Sequence, residues 1–242
     1  MVQRGGLGPF LPPSDRRAIM ARMTEPAAPS TTPRFQQRSG EGPLLIADIS
    51  GYTSFLQAVA AAHASDAFAD GNVPAAYQIL SELLQGIVGS FVPPYTLSKL
   101  EGDAVFVFGG FDGDTPQGAE VLDGIRRSYA GFQAELARAG EEWTCNCDAC
   151  IRINMLDLKF IVHGGRYFVH EIAGSRELSG PDVVMAHRLL KNDAVSAVGR
   201  RGYALLTEAV VSRLGVPTDG AVQQTQNPAD YPPVESFVYA LG

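Results

Sequence analysis

Asp48 closes an apolar run in "GPLLIADISGYTSF", Gly42 to Phe55, where Leu44 to Ala47 read as a buried strand entering a Ser-Gly turn. A carboxylate at that point is costly unless it is paired, hydrogen-bonded or turned to solvent. A second acid, Asp103, lies in "KLEGDAVFVF", where a hairpin turn is expected. If the first strand pairs beside that hairpin, Asp48 and Asp103 come close. Two neighbouring carboxylates repel unless a proton or a cation sits between them. Hard divalent cations such as Mg²⁺ are held by one or two carboxylates together with substrate phosphates. The plainer reading is a turn-capping aspartate at each place.

The second group of chemically capable residues is "CNCDAC". It holds all three cysteines, Cys145, Cys147 and Cys150. An odd number in six residues is no disulfide framework, and clustered thiols in a reducing compartment point to metal or redox chemistry. Three soft thiolates suit Zn²⁺, which takes four tetrahedral Cys or His ligands. The fourth ligand is left among His163 and His170 on the following strands, Asp148, water and a partner chain. The plainer reading is a loop of free thiols. The segment forms an insert at about 143–152.

The elements that must position these groups begin after residue 41. Residues 1–41 are rich in Pro, Arg, Ser, Thr and Gly, and bury too little apolar surface to offset their ordering entropy, so a disordered tail is expected there. Residues 42–242 form the folded domain. "PLLIADI" is a strand, and "GYTSFLQAVAAAHASDAFAD" a helix with Phe55, Val59 and Ala62 on one face. "NVPAAYQILSELLQGIVGSF" is a second helix. Thr96 to Lys99 and Ala104 to Phe108 are hairpin arms, and the alternation puts Lys99 on the face of Leu97. "PQGAEVLDGIRRSYAGFQAELARAG" is a long amphipathic helix. "LDLKFIVHGG" and "RYFVHEIAG" read as a strand pair, "PDVVMAHRLLKND" as a helix, "GYALLTEAVVSRLGV" as a strand and helix, and "ESFVYAL" as a last strand. The order β-α-α-β-β-α-β gives an α/β (α+β) fold: a ferredoxin-like, split βαβ sheet with helices on one face.

The net charge of −7 is mixed along the chain, without the basic stripe of a nucleic-acid binder. No apolar run reaches the ~20 residues that span a bilayer. The first residues lack the apolar core of a secretory signal, so a cytoplasmic location is expected. There is no Gly-x-x-x-x-Gly-Lys loop, serine nucleophile elbow or dinucleotide fingerprint.

"LLIADISGYTSF" resembles the first strand and helix start of class III nucleotidyl cyclase domains, and "LSKLEGDAVFVF" resembles their Lys and Gly-Asp turn motif. "LKFIVHGG" resembles their next strand, and "SGPDVVMAHRLL" their Gly-x-x-Val-Asn-x-Ala-x-Arg element. The resemblance spans residues 43–192 and implies a sheet of the nucleotidyl cyclase type. It implies that Asp48, Asp103 and the Ile49 carbonyl hold two Mg²⁺ or Mn²⁺ ions, one activating a ribose 3′-hydroxyl and the other clamping a triphosphate. Lys99 matches the purine-reading lysine, Glu177 its acidic partner, and Arg188 the arginine that stabilises charge on the transferring phosphate. The resemblance also implies a purine nucleoside triphosphate ligand and a homodimer in which Asp48 and Asp103 face Arg188 of the partner.

The chain departs from that pattern in two ways. Val184 stands where the ribose-orienting Asn belongs, and no late phosphate-binding Lys is evident. Each lost contact costs on the order of 10²-fold in rate. The chain resembles an uncharacterised cyclase-like branch marked by a Cys-x-Cys-x-x-Cys insert. Three functions compete: a slow purine nucleotide cyclase, a non-catalytic nucleotide-binding or signalling module, and an interaction protein organised by its cysteine-bound metal.

Overall fold

The structure is a computed structural model that describes residues 38–63, 75–142, 145 and 147–242, all within one unit, Gln37–Gly242. Residues 1–37 of the tail expected at 1–41, residues 64–70 of the first expected helix and residues 72–74 of the second lie outside the described residues. So do residues 143, 144 and 146 of the insert.

The chain runs β1 (Arg38–Ser50), α1 (Tyr52–Ala62), α2 (Ala75–Phe91), β2 (Thr96–Glu101), β3 (Ala104–Phe108) and α3 (Ala119–Glu142). A 3₁₀ turn, η1 (Cys150–Met155), then leads to β4 (Asp157–Ile172), β5 (Ser175–Ser179), α4 (Pro181–Arg188) and α5 (Ala194–Val198). The last elements are β6 (Tyr203–Thr207), α6 (Glu208–Leu214), β7 (Val222–Gln226) and β8 (Val234–Ala240). The strands form an eight-stranded sheet in the order β2-β3-β1-β4-β6-β8-β7, with β5 paired to β4. Among the described residues only the β4–β6 pair is parallel.

The central strand β1 is buried on both faces, which explains its unbroken apolar run. Leu45, Ala47 and Ile49 point into a core shared with Phe55 of α1, Leu83 and Ile87 of α2, Ile125 and Phe132 of α3, and Val210 of α6. Leu44 and Ile46 point the other way, onto Val183 and Ala186 of α4. Helices therefore cover both faces, where one was expected. Alternation fixes the rest: Asp48 shares its phase with Leu44 and Ile46 and faces the α4 side.

Other details also differ from the sequence reading. β1 begins at Arg38, inside the stretch assigned to the tail, because residues 38–41 pair with β4 from Val169 to Arg166. "LDLKFIVHGGRYFVHEI" is one strand and not a pair. Gly164 and Gly165 continue the ladder opposite Pro43 and Gly42. They are glycines because helices approach there: a Cβ on Gly165 would lie 2.3 Å from the Asp182 Cβ, and one on Gly164 would lie 2.9 Å from the Val210 nitrogen. Ala62 is exposed, while Phe55 and Val59 of the same helix are buried. Finally, β2 carries a bulge at Ser98: Leu97 pairs with Val107 and Lys99 with Phe106. The extra residue places Leu97 against the α2–α3 core and Lys99 on the opposite, α4 face.

Candidate functional site

The site at the end of β1 is built by register. Asp48 is opposite Ala104 of β3 on one side and Lys159 of β4 on the other. Asp103 precedes Ala104 in the Gly102–Asp103 turn, and the Ile49 N–H donates to the Asp103 carbonyl over 3.1 Å. The N–H and C=O of one strand residue point to the same side, so the Ile49 carbonyl also faces this turn. Asp48, Asp103 and the Ile49 carbonyl are thus brought together. Burial, and then the Asp48 charge, push the Asp103 carboxyl above the usual carboxylate range, with Lys159 pulling it back.

Lys159 is one residue the sequence reading missed. Its Nζ lies 3.1 Å from Asp48 Oδ1, and each side chain is less than a fifth exposed. This ammonium is what neutralises the carboxylate. It had one sequence signal, being the sole cation in "LDLKFIVHGG", but only the antiparallel β1–β4 register reveals its partner.

Along the same face, Lys99 Nζ donates to Glu177 Oε2 at 3.1 Å and lies 3.1 Å from Glu101 Oε1. The Glu177 hydrogen bond is the main cause that raises the Lys99 pKa. Glu101 in turn meets His187 Nε2 at 2.8 Å, and His187 Nδ1 donates to the Val183 carbonyl at 2.7 Å. Glu101 and His187 carried no motif, and only the fold joins them to Lys99. Arg188 is not drawn into this network. It projects from the end of α4, half-exposed, 3.7 Å from the exposed Asp230. Val184, one turn earlier, is 44% exposed.

The cysteine segment lies between α3 and β4. Cys145, Cys147 and Cys150 gather around His63, the C-cap of α1, with His63 Nε2 at 3.7, 3.4 and 3.2 Å from the three sulfurs in that order. The four ligand atoms all lie within 4.8 Å of one another, and this cluster could hold a metal ion. Backbone N–H donation from Cys150 pulls the Cys147 thiol down to about 6, and burial pushes the Cys150 thiol up to about 12. The two histidines expected as fourth ligand have other partners. His163 Nδ1 is 3.1 Å from Thr207 Oγ1, in the sheet interior, and His170 Nε2 is 2.6 Å from Ser179 Oγ. His63 was passed over because it ends an alanine-rich helix with no metal spacing to any cysteine.

Comparison with known proteins agrees with this architecture. A family model described as "Protein of unknown function (DUF2652)" matches residues 80–197, a span that includes Lys99, Asp103, the cysteines and Arg188 but not Asp48 or His63. The "Uncharacterized protein Rv2561/Rv2562" of Mycobacterium tuberculosis is 29% identical over 135 residues, 56% of this chain and 60% of that protein. The chain thus matches under two thirds of that relative's length. Among solved structures, the adenylyl cyclase CyaB from P. aeruginosa aligns with a TM-score of 0.59 at 15% identity, over 86% of this chain and 97% of that one. The guanylyl cyclase Cya2 aligns at 0.51 and 16%, over 86% and 95%. At these identities the likeness is one of fold. The chain has the fold of class III nucleotidyl cyclase catalytic domains, and its sequence matches fit an uncharacterised branch of that fold. No helix among the described residues is long and apolar enough to cross a membrane.

Proposed function

We propose that this chain is a class III cyclase-like protein that binds a purine nucleoside triphosphate with Mg²⁺ or Mn²⁺ and converts it slowly to the cyclic nucleotide. The observation that carries the reading is the convergence of Asp48, Asp103 and the Ile49 carbonyl at one strand end, beside the Lys99–Glu177 pair. Two carboxylates and a carbonyl suit hard divalent ions, and a cation would relieve the raised Asp103 carboxyl, but such ions would have to displace Lys159 from its contact with Asp48. When bound, such ions polarise the ribose 3′-hydroxyl and the triphosphate. Lys99 and Glu177 read the purine edge, one as donor and the other as acceptor. Arg188, free of the site within its own protomer, reaches the phosphates of the partner's site in a homodimer. Its planar guanidinium suits an anion of that shape.

A second reading, nucleotide binding without turnover, is favoured by Val184. It stands exposed where the ribose would need a hydrogen-bonding side chain, and it has none to offer. Zinc is the ion we assign to the cysteine cluster, and a reducing compartment such as the cytoplasm suits its thiols.

The test is incubation of the purified chain with ATP or GTP and Mn²⁺, following cyclic nucleotide by mass, with Asp48→Ala alongside. Product that disappears in Asp48→Ala supports the cyclase. Metal-dependent binding without product, lost in Asp48→Ala, selects the second reading. Neither product nor binding sinks both.

A further inference from the structure

We infer that His63, Cys145, Cys147 and Cys150 form a closed zinc site whose role is to brace the carboxylate end of β1. The nucleotide consequence rests on the proposed function; the site and the brace do not.

The geometry fits the ion. Tetrahedral zinc, with Zn–S near 2.3 Å and Zn–N near 2.0–2.1 Å, requires N···S separations of ~3.6 Å. The observed three are 3.2, 3.4 and 3.7 Å. Cys147 and Cys150 have the Cys-x-x-Cys spacing of a metal-binding turn, and the Cys150 N–H donates to Cys147 Sγ at 3.4 Å, the kind of bond that stabilises a thiolate ligand. Three sulfurs are too soft a set for Mg²⁺ or Mn²⁺, and an imidazole in the fourth place argues against an iron–sulfur cluster, which wants four thiolates. Four protein ligands leave no open position, so the site is structural. Its inner wall is core: Cys150, Ala149 and Ile153 are buried, and Cys145 and Cys147 pack on the same cluster.

The placement of the ligands gives the site its task. His63 ends α1, and α1 starts at Tyr52, four residues after Asp48. Cys150 starts η1, and η1 ends two residues before Asp157, where β4 begins. The near ends of these elements touch: the position of a Cβ on Gly51 is 3.5 Å from the Met155 carbonyl oxygen. There Ser50 is opposite Asp157, and Asp48 opposite Lys159. Zinc joins the far ends of two short elements whose near ends carry the Asp48–Lys159 pair. It links positions more than eighty residues apart in sequence, at the far ends of two elements that the β1–β4 ladder joins at Ser50 and Asp157. Removing the ion frees α1 and η1 to separate and loosens the end of β1, where Asp48 meets Asp103.

The test uses the full chain without nucleotide or magnesium. Metal analysis of the zinc-reconstituted protein should give one zinc per chain. It should be lost in His63→Ala and kept in His63→Cys, which restores four ligands. Hydrogen exchange then reads the brace. Stripping zinc with a chelator should speed exchange of the Ile49 amide by about tenfold or more while leaving the β6–β8 amides unchanged, and zinc but not magnesium should reverse it. If His63→Ala does not fold, chelated wild-type protein gives the same reading. Substoichiometric zinc after reconstitution, or zinc retained in His63→Ala, overturns the site. Unchanged Ile49 exchange on stripping overturns the brace. Zinc-loaded protein that binds no nucleotide defeats the proposed function alone, since zinc content and exchange are read without it.

Discussion

Lys159 and Asp48 set the chemistry available at the residue scale. Each is mostly buried, and their contact at 3.1 Å keeps two charges from standing alone in a poorly solvated place. Lys159→Met should therefore cost about 2 kcal/mol, somewhat less than the roughly 3–5 kcal/mol of a wholly buried broken pair, because a fifth of each group still meets water. Urea unfolding without divalent ions measures that loss. If the carboxylates are a cation site, Mn²⁺ should restore more stability to Lys159→Met than to the wild type, because the ammonium no longer competes for Asp48. Equal responses to Mn²⁺ in both proteins would count against a cation at Asp48. Asp48 and Asp103 were legible in the sequence because a carboxylate in an apolar context is conspicuous. Lys159, His187 and His63 were not, because their partners lie 111, 86 and more than eighty residues away, and no local pattern encodes pairing at that range.

At the scale of elements, the strands and helices followed from periodicity, and the errors fell where one residue changes the phase. The Gly-Gly of β4 reads as a turn from sequence, since glycine marks turns more often than close packing. Here it is the point where α4 and α6 lie against the sheet. Gly165→Ala would place a methyl within 2.3 Å of the Asp182 side chain, which itself accepts a hydrogen bond from the Arg166 N–H. Overpacking of this kind costs about 1–3 kcal/mol. The thermal midpoint should fall by several degrees, on the order of 2–4 °C per kcal/mol for a chain of this size. A midpoint equal to the wild type would mean that α4 gives way without cost. β7 escaped notice for a different reason: "VQQTQ" is a polar strand, paired to β8 alone at one end of the strand order, where burial imposes no apolar alternation.

At the scale of the whole molecule, the proposed site is divided. Asp48 lies beside Asp103, and Lys99 pairs with Glu177, whereas the partner of Arg188 is the exposed Asp230. If catalysis needs a homodimer, Asp48→Ala and Arg188→Ala should each abolish product alone, and a mixture that forms heterodimers should regain a fraction of it. The heterodimer keeps one intact site, assembled from the Asp48 of one chain and the Arg188 of the other. Two inactive proteins that stay inactive when co-expressed would place Arg188 outside the partner's site. The fold class was legible because the order of elements allows few topologies. The second helical layer was hidden, because α4 is only eight residues long and its core-facing side chains look like those of any surface helix.

The bulge in β2 has a consequence for how the chain tolerates changes in length. Val107 and Phe106 are adjacent in β3, yet their partners Leu97 and Lys99 are separated by Ser98, so Ser98 is supernumerary in the ladder. Its hydroxyl is buried without a hydrogen-bond partner among the described residues. Deleting that single residue leaves Leu97 opposite Val107 and Lys99 opposite Phe106, each on its present face. Deleting Leu97 or Lys99 instead puts Ser98 in the lost residue's place, opposite Val107 or Phe106, and removes a side chain that the fold uses. The reading frame of this hairpin therefore has one silent position, and it lies directly before the lysine proposed to read the purine.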